Sequence, residues 1–422
     1  MGAYMEEQKI KYGFIPVASS ITSIPREEIA REIQIILNQY EIYQVDEHSV
    51  TRSIPLLYFI LTGGTEQLTY NLIAERRKYF NHEPVILLAH PGNNSLPASL
   101  EILGRLQQEG MKGRIIYLDE TSNKDCWRDI EKTVKYFEVY YKMRNTKIGL
   151  IGDPSDWLIA SMPGHEAVQR VWGAHITKIP LEELKNMIPQ ITDEEIEDEH
   201  FAFVNKAANV KEPSKKELKN VVKVFAALRK VIDEYKVDAI SLRCFDLVTD
   251  LKTTGCFALS KLNDYGIVAS CEGDIVSTLG MIWSSYLTNQ IPWMANPSRI
   301  DEQNNSLWLA HCTVPIGMVA NYKLRSHFES GLGVGIEGEI SKGKATLFRI
   351  GGRNLDKLWI SNAEIIQSGS EENLCRTQAL VKLHGSYKVS DILSEPLGNH
   401  MLLLRGNFGK ELTAWWEMFV GN

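Results

Sequence analysis

Glu272, in the run Ala269-Ser270-Cys271-Glu272-Gly273-Asp274, is followed far down the chain by Asn296, His311 and His400. An acid at the end of a short apolar run, joined by imidazoles and an amide oxygen, is a donor set suited to a hard-to-borderline divalent cation. A cation held this way polarises a carbonyl and a neighbouring hydroxyl, and a carboxylate at its side can carry the proton between two carbons.

Each residue also has a plainer reading. Glu272 could serve only as an acid at a helix amino terminus, stabilised by the helix dipole. His311 lies in the apolar run Leu307–Cys312 and could be a buried histidine satisfied by the backbone, and His400 could be an ordinary turn histidine after Gly398-Asn399.

The elements that would position these residues follow from hydrophobic periodicity. Short β-rich runs alternate with longer amphipathic ones: Ile10–Val17, a helix over Arg26–Tyr40, Leu56–Leu61, a helix over Gln67–Tyr79, Pro84–His90, a helix over Ala98–Glu109, Gly113–Leu118, a helix over Asp125–Met143, then Lys147–Gly152. That beat predicts a doubly wound parallel sheet over 1–165. Its strand ends lead into Thr62-Gly63-Gly64-Thr65, His90-Pro91-Gly92-Asn93-Asn94 and Gly152-Asp153-Pro154-Ser155, where open α/β sheets place ligands or simply close tight turns.

A second α/β unit is expected over 166–297. It has strands at Ala174–Ile179, Ala239–Cys244 and Ile267–Ser270, and helices over Thr254–Asn263 and Ile275–Leu287. Over Ser214–Tyr235 the residues Leu218, Val221, Val222, Phe225, Leu228, Val231 and Ile232 form one helical stripe. Glu272 then falls at a strand-to-helix corner. Over 298–422 short runs with Gly and Asn turns predict a mostly antiparallel β domain, a barrel or sandwich, closed by a helix at Leu412–Phe419.

At 422 residues with 44% hydrophobic content, the chain has enough apolar surface for several cores. Its net charge of −7 arises from mixed acids and bases with no basic stripe, which disfavours nucleic acid and anionic membrane and favours a small-molecule partner. The six cysteines, among them Cys126, contain no CxxC pair and read as reduced, mostly buried thiols. Met1–Lys11 lacks the apolar core of a signal peptide and no run approaches the ~18 apolar residues of a membrane span, so a cytoplasmic location is expected. Gly331-Leu332-Gly333-Val334-Gly335 imitates part of a dinucleotide fingerprint without the βαβ setting, and no Walker, HExxH, GxSxG or EF-hand pattern occurs.

The stretch Ser241–Asp250, then Ala269–Asp274 with Leu279-Gly280-Met281, resembles the middle domain of L-fucose isomerase. Pro292-Trp293-Met294-Ala295-Asn296-Pro297, Leu309-Ala310-His311-Cys312 and Gly398-Asn399-His400 continue in the order of the L-fucose and L-arabinose isomerase superfamily. The likeness is close over the carboxyl-terminal half and architectural only before it. It implies two α/β domains and a mostly β domain, and interconversion of an aldose and a ketose through an enediol. It implies Mn²⁺ as cofactor, with Mg²⁺ or Co²⁺ as alternatives.

By this resemblance Glu272 is a metal-binding carboxylate that also moves a proton, His400 a metal-binding histidine, and His311 a ligand of the arabinose branch. Asn296 stands where the fucose branch has an aspartate; it can coordinate but cannot act as a base. Asp274 or Asp301 could supply the missing carboxylate. Arg243, Trp293 and Asn399 fall in substrate-contacting segments, and Arg299, Arg325 and Arg376 could converge on an anionic group of the sugar. A homotrimer or homohexamer is implied, with the amino-terminal domain of one subunit closing its neighbour's pocket, so that the three loops above would meet Glu272 across an interface. Two other readings stay open: a sugar-binding or regulatory protein without catalysis, and an epimerase or lyase on the same scaffold.

Overall fold

The structure, a computed structural model, describes residues 11–20, 26–118, 124–385 and 387–421, with the side chains of 26–30, 32 and 124–126 also outside the description. The expectations for Met1–Ile10 and for the Cys126 thiol therefore lie outside the described residues. The chain forms two compact units, one of 1–141 with 415–419 and one of 142–414 with 420–422.

The first unit is built on a five-stranded parallel sheet of β1 (Tyr12–Val17), β2 (Ile42–Gln44), β3 (Leu56–Ile60), β4 (Val85–Ala89) and β5 (Gly113–Tyr117), in the order β2-β1-β3-β4-β5. β3 and β4 are buried at every position, as central parallel strands covered on both faces must be. The loops after β3 and β4 tie to each other, Gly63 N–H donating to the Asn93 carbonyl at 2.7 Å and His90 Nε2 lying 2.9 Å from the Leu61 carbonyl.

The second unit carries another parallel sheet, of β6 (Lys147–Ile151), β7 (His175–Ile179), β9 (Ala239–Leu242) and β10 (Val268–Cys271), in the order β10-β9-β6-β7. β6 was expected to continue the first sheet; it pairs instead with β7 and β9. A strand-helix beat sounds the same on either side of a unit boundary, and the long helix Lys124–Asn145 that precedes β6 gives no local sign of the change. Helix Lys215–Tyr235 buries the predicted stripe and starts at a capping box between Ser214 and Glu217.

The antiparallel part is a closed six-stranded barrel of β11 (Trp293–Asp301), β12 (Ser306–His311), β15 (Gly343–Gly351), β16 (Lys357–Gly369), β17 (Thr377–His384) and β18 (Met401–Arg405), ordered β11-β12-β17-β16-β15-β18. A small sheet of β8 (Asn209–Val210), β13 (Asn321–Arg325) and β14 (Gly335–Glu339) completes the unit. Parallel α/β sheets followed by an antiparallel barrel match the expected fold class. β11 and β13 were not anticipated as strands, since Pro292, Pro297 and the polar run of 321–325 break the apolar alternation. Among the described residues no helix is long and apolar enough to cross a membrane.

Candidate metal centre and active site

Glu272 lies at the corner between β10 and the helix Ile275–Thr288, where Glu272 and Gly273 both take positive φ, 64° and 71°. The bend is tight because a Cβ at Gly273 would come 2.7 Å from the Pro154 Cα. A left-handed conformation is unfavourable for glutamate by about 1–2 kcal/mol and is held here by its surroundings. Gly273 N–H donates to Leu242 O at 3.1 Å, and Ser155 N–H donates to Glu272 O at 2.8 Å. The loop Gly152–Ser155 therefore reaches Glu272 within the chain, not across a subunit interface as expected.

The barrel brings the histidines to this corner. Ligand atoms of Glu272, His311 and His400 all lie within 4.8 Å of one another, and all three residues are buried. Glu272 Oε1 is 3.5 Å from His400 Nε2 and 4.0 Å from His311 Nε2. Asn296 enters through the ladders: it pairs with Ala310, next to His311, while Ala295 pairs with Met401, next to His400. Asn296 thus sits on the strand between β12, which ends at His311, and β18, which begins just after His400.

The second carboxylate, Asp274, takes a different part from the ligand role considered for it. It is fully buried and caps the helix Ile275–Thr288, accepting from Ser277 N–H at 2.8 Å. The capping role open to Glu272 therefore falls to Asp274. Its Oδ2 also accepts from Arg349 Nη1 at 3.1 Å and meets His400 Nδ1 at 2.8 Å. With Nδ1 turned to Asp274, His400 directs Nε2 toward Glu272 and His311, the carboxylate–histidine pairing that orients metal ligands. His311 is turned likewise, its Nδ1 lying 2.7 Å from Thr313 Oγ1.

Protonation follows from these contacts. Burial opposes the Glu272 carboxylate, but the imidazoles of His400 and His311 and the Trp157 N–H outweigh it and hold its pKa below the usual glutamate value. Burial likewise opposes the Asp274 anion and is outweighed by Arg349 and His400, so its pKa is depressed well below the carboxylate range. Burial would lower His400, yet Asp274 and Glu272 raise it; His311, dominated by burial and then by His400, is pushed down to about 4. A neutral His311 beside an ionised Glu272 is a donor set ready for a cation.

The residues fit a divalent ion on a separate ground. His400 Nε2 and Asn296 Oδ1 are buried without a hydrogen-bond partner, an arrangement that costs free energy unless something else fills it. Asp274→Asn is expected to weaken Mn²⁺ binding about 10–100-fold by releasing the His400 orientation, read by calorimetric titration. Affinity equal to wild type in a folded variant would show that His400 needs no such support.

The other anticipated residues are dispersed. Arg243 lies just past β9 at the carboxyl ends of the strands, beside Glu272. Asn399 is exposed in the turn before His400, whereas Trp293 is fully buried, opposite Leu403. Asp301, the last residue of β11, accepts from Asn304 of the following turn. The three arginines expected to gather on an anion are held by carboxylates instead: Arg299 by Glu371, Arg325 by Glu212, Glu337 and Glu372, and Arg376 by Glu372. The described cysteines are free, four buried and Cys375 half-buried, and Cys244 and Cys271 place their sulfurs 2.8 Å apart.

Two participants were missed. Trp157 donates its indole N–H to Glu272 Oε2 at 2.6 Å, and its place just past a parallel strand end was the available signal. Arg349 interrupts the apolar strand Thr346-Leu347-Phe348-Arg349-Ile350; an arginine there, only 1% exposed, demands a buried carboxylate.

A buried Glu/His/His cluster thus lies where the second parallel sheet meets the barrel. No family model matches the chain. The chain is 25% identical over 229 residues to the sulfoquinovose isomerases of Priestia aryabhattai and Priestia megaterium, covering 52% of this chain and 50% of theirs. It is also 25% identical over 176 residues to a sulfoquinovose isomerase of a Clostridium species, 42% of this chain and 39% of that one. The chain thus spans about half the length of the curated relatives it matches.

Proposed function

We propose that the chain is an aldose–ketose isomerase, dependent on a divalent ion, that acts on a sugar with an anionic end. The observation that carries this reading is the buried Glu272/His311/His400 cluster with its orphaned His400 Nε2 and Asn296 Oδ1. The names of the relatives support a sugar isomerase and point to a sulfonated sugar as the substrate class.

Glu272, His311, His400 and Asn296 would hold the ion, which when bound supplies polarisation of the sugar carbonyl and the adjacent hydroxyl. Glu272 takes the proton from C2 and returns it to C1, passing through an enediol, while the hydroxyl proton passes from O2 to O1 to complete the exchange. Its lowered pKa keeps it ionised near neutrality and so ready to accept. Asp274 and Thr313 fix the two imidazoles, and Trp157 fixes the carboxylate plane. Mn²⁺ is the proposed ion and a homo-oligomer the proposed assembly, both on the resemblance to the fucose and arabinose isomerases.

Asn296 favours a second reading, a sugar-binding protein without turnover, because a neutral amide leaves the site one negative charge short. Asn296→Asp is expected to tighten Mn²⁺ binding about tenfold by restoring that charge; an unchanged constant in a folded variant would place the side chain outside the ligand set. The function itself is tested by incubating Mn²⁺-loaded protein with sulfoquinovose and a panel of neutral aldoses and following the ketose by NMR. Ketose from the sulfonated sugar supports the proposal. Epimer or cleavage product, or no product from any aldose, overturns it.

A further inference from the structure

Two consecutive side chains of one loop engage the two polar groups that lead the neighbouring strands β9 and β10 out of the sheet. Leu242 pairs with Cys271, so Arg243 and Glu272 are the next residues on adjacent strands, with backbones roughly 5 Å apart. The loop after β6 is anchored by Ser155 and Leu158, which are 1% and 2% exposed. Between these anchors Asp156 and Trp157 project. Trp157 occupies Glu272 Oε2, as described above. Asp156 lies side-on against the Arg243 fork, Oδ1 3.2 Å from Nη1 and Oδ2 3.3 Å from Nη2.

The rest of the guanidinium is fixed by structure that stays. Its Nε donates to Asp246 at 2.9 Å and Nη1 to the Pro154 carbonyl at 2.7 Å. The Asp156 side chain, by contrast, is 86% exposed. An ion pair that open to water is worth about 0–1 kcal/mol, so exchanging this carboxylate for another oxyanion costs little. An open cavity of about 710 Å³ lies beside Arg243, lined by Lys178 and Lys185 and by the acids Asp153, Asp156, Glu182 and Asp246. The indole of Trp157, half exposed, packs edge-on against Phe245 with ring centroids 5.0 Å apart.

We propose that the Arg243 fork seats the anionic end of the sugar, and that Asp156 is an internal occupant which the substrate's anion displaces. The proposal rests on the isomerase reading for its substrate and on geometry for its place. A sulfonate, like a carboxylate, offers two oxygens to the parallel N–H bonds of a guanidinium. Arg243 and Glu272 follow directly on adjacent strands, and in this proposal the sugar reaches from one to the other. A tethered carboxylate competes at high effective concentration, so removing it strengthens binding of a free anion.

The test measures binding of methanesulfonate by NMR titration, without turnover. Asp156→Asn is expected to bind it about 5–10-fold tighter than wild type, through loss of the tethered competitor. Asp153→Asn removes the same charge from the same loop but from a residue beside Lys178, and is expected to change binding less than about twofold, as an exposed pair would. Adding Arg243→Lys to Asp156→Asn keeps the charge, removes the fork and should abolish the gain. Equal effects from Asp153→Asn and Asp156→Asn, or a gain that survives Arg243→Lys, would overturn the proposal. If wild type isomerises sulfoquinovose while Asp156→Asn gains nothing, the anion seat fails alone. If Asp156→Asn gains and no aldose is turned over, the seat stands and the isomerase reading fails.

Discussion

Glu272→Gln is expected to lower turnover by about 10²–10⁴-fold while leaving the fold intact, because acid–base groups typically contribute that much. The substitution keeps the volume and keeps an oxygen that can accept the Trp157 N–H. What it removes is the negative charge beside His311 and His400 and the proton acceptor of the proposed reaction. Mn²⁺ affinity should fall with it, since the carboxylate is the only formally charged member of the ligand set formed with His311, His400 and Asn296. Turnover within about tenfold of wild type, in a variant with unchanged circular dichroism, would move the proton-transferring role to another residue.

The second large effect is on stability. Arg349 and Asp274 form an ion pair with side chains 2% and 0% exposed, and Arg349 also donates to Ser161 Oγ at 2.7 Å. Arg349→Met leaves Asp274 buried with its main counter-charge gone, a loss of about 3–5 kcal/mol for breaking such a pair from one side. The pH dependence has a definite sign. The folded-state pKa of Asp274 is depressed, so its contribution is present above its unfolded value, about 3.9, and is lost as pH falls through the folded value. The defect of Arg349→Met should therefore be full at neutral pH and shrink in acid, where Asp274 of the variant takes up a proton. Denaturant unfolding of the chelator-treated proteins at pH 7 and pH 4 measures both. Equal stability of variant and wild type at pH 7 would mean that water reaches Asp274 in solution. Asp274→Asn added to Arg349→Met should recover part of the loss, because a neutral amide needs no counter-charge.

Much of the architecture was open to reading because periodicity speaks directly about elements. The helix over 215–235 shows its stripe in the sequence, and the change to short alternating runs after Pro297 announces the barrel. Which sheet a strand joins is a different question. β6 carries no residue that says β9 rather than β5 is its neighbour, and that choice is made by packing. The site divides in the same way. Glu272, His311 and His400 stand out as donor types on apolar elements, so their candidacy could be seen. Their meeting depends on barrel closure, β11 pairing with both β12 and β18. Asp274 was visible as an acid but not as the residue that joins a helix cap, Arg349 and His400. Trp157 and Asp156 reach Glu272 and Arg243 only because β6 lies beside β9, so no reading of spacing alone could have placed them.

The central claim is that Glu272 moves a proton at C2 of a sugar held at the Glu272/His311/His400 centre. The most direct test is solvent deuterium incorporation into sulfoquinovose and its ketose, followed by NMR for Mn²⁺-loaded wild type and Glu272→Gln in D₂O. Deuterium should enter at the carbons that exchange the proton in wild type, and its entry should fall in the variant by the same factor as turnover. Incorporation at an equal rate in Glu272→Gln would contradict the account, since another base would then be moving the proton.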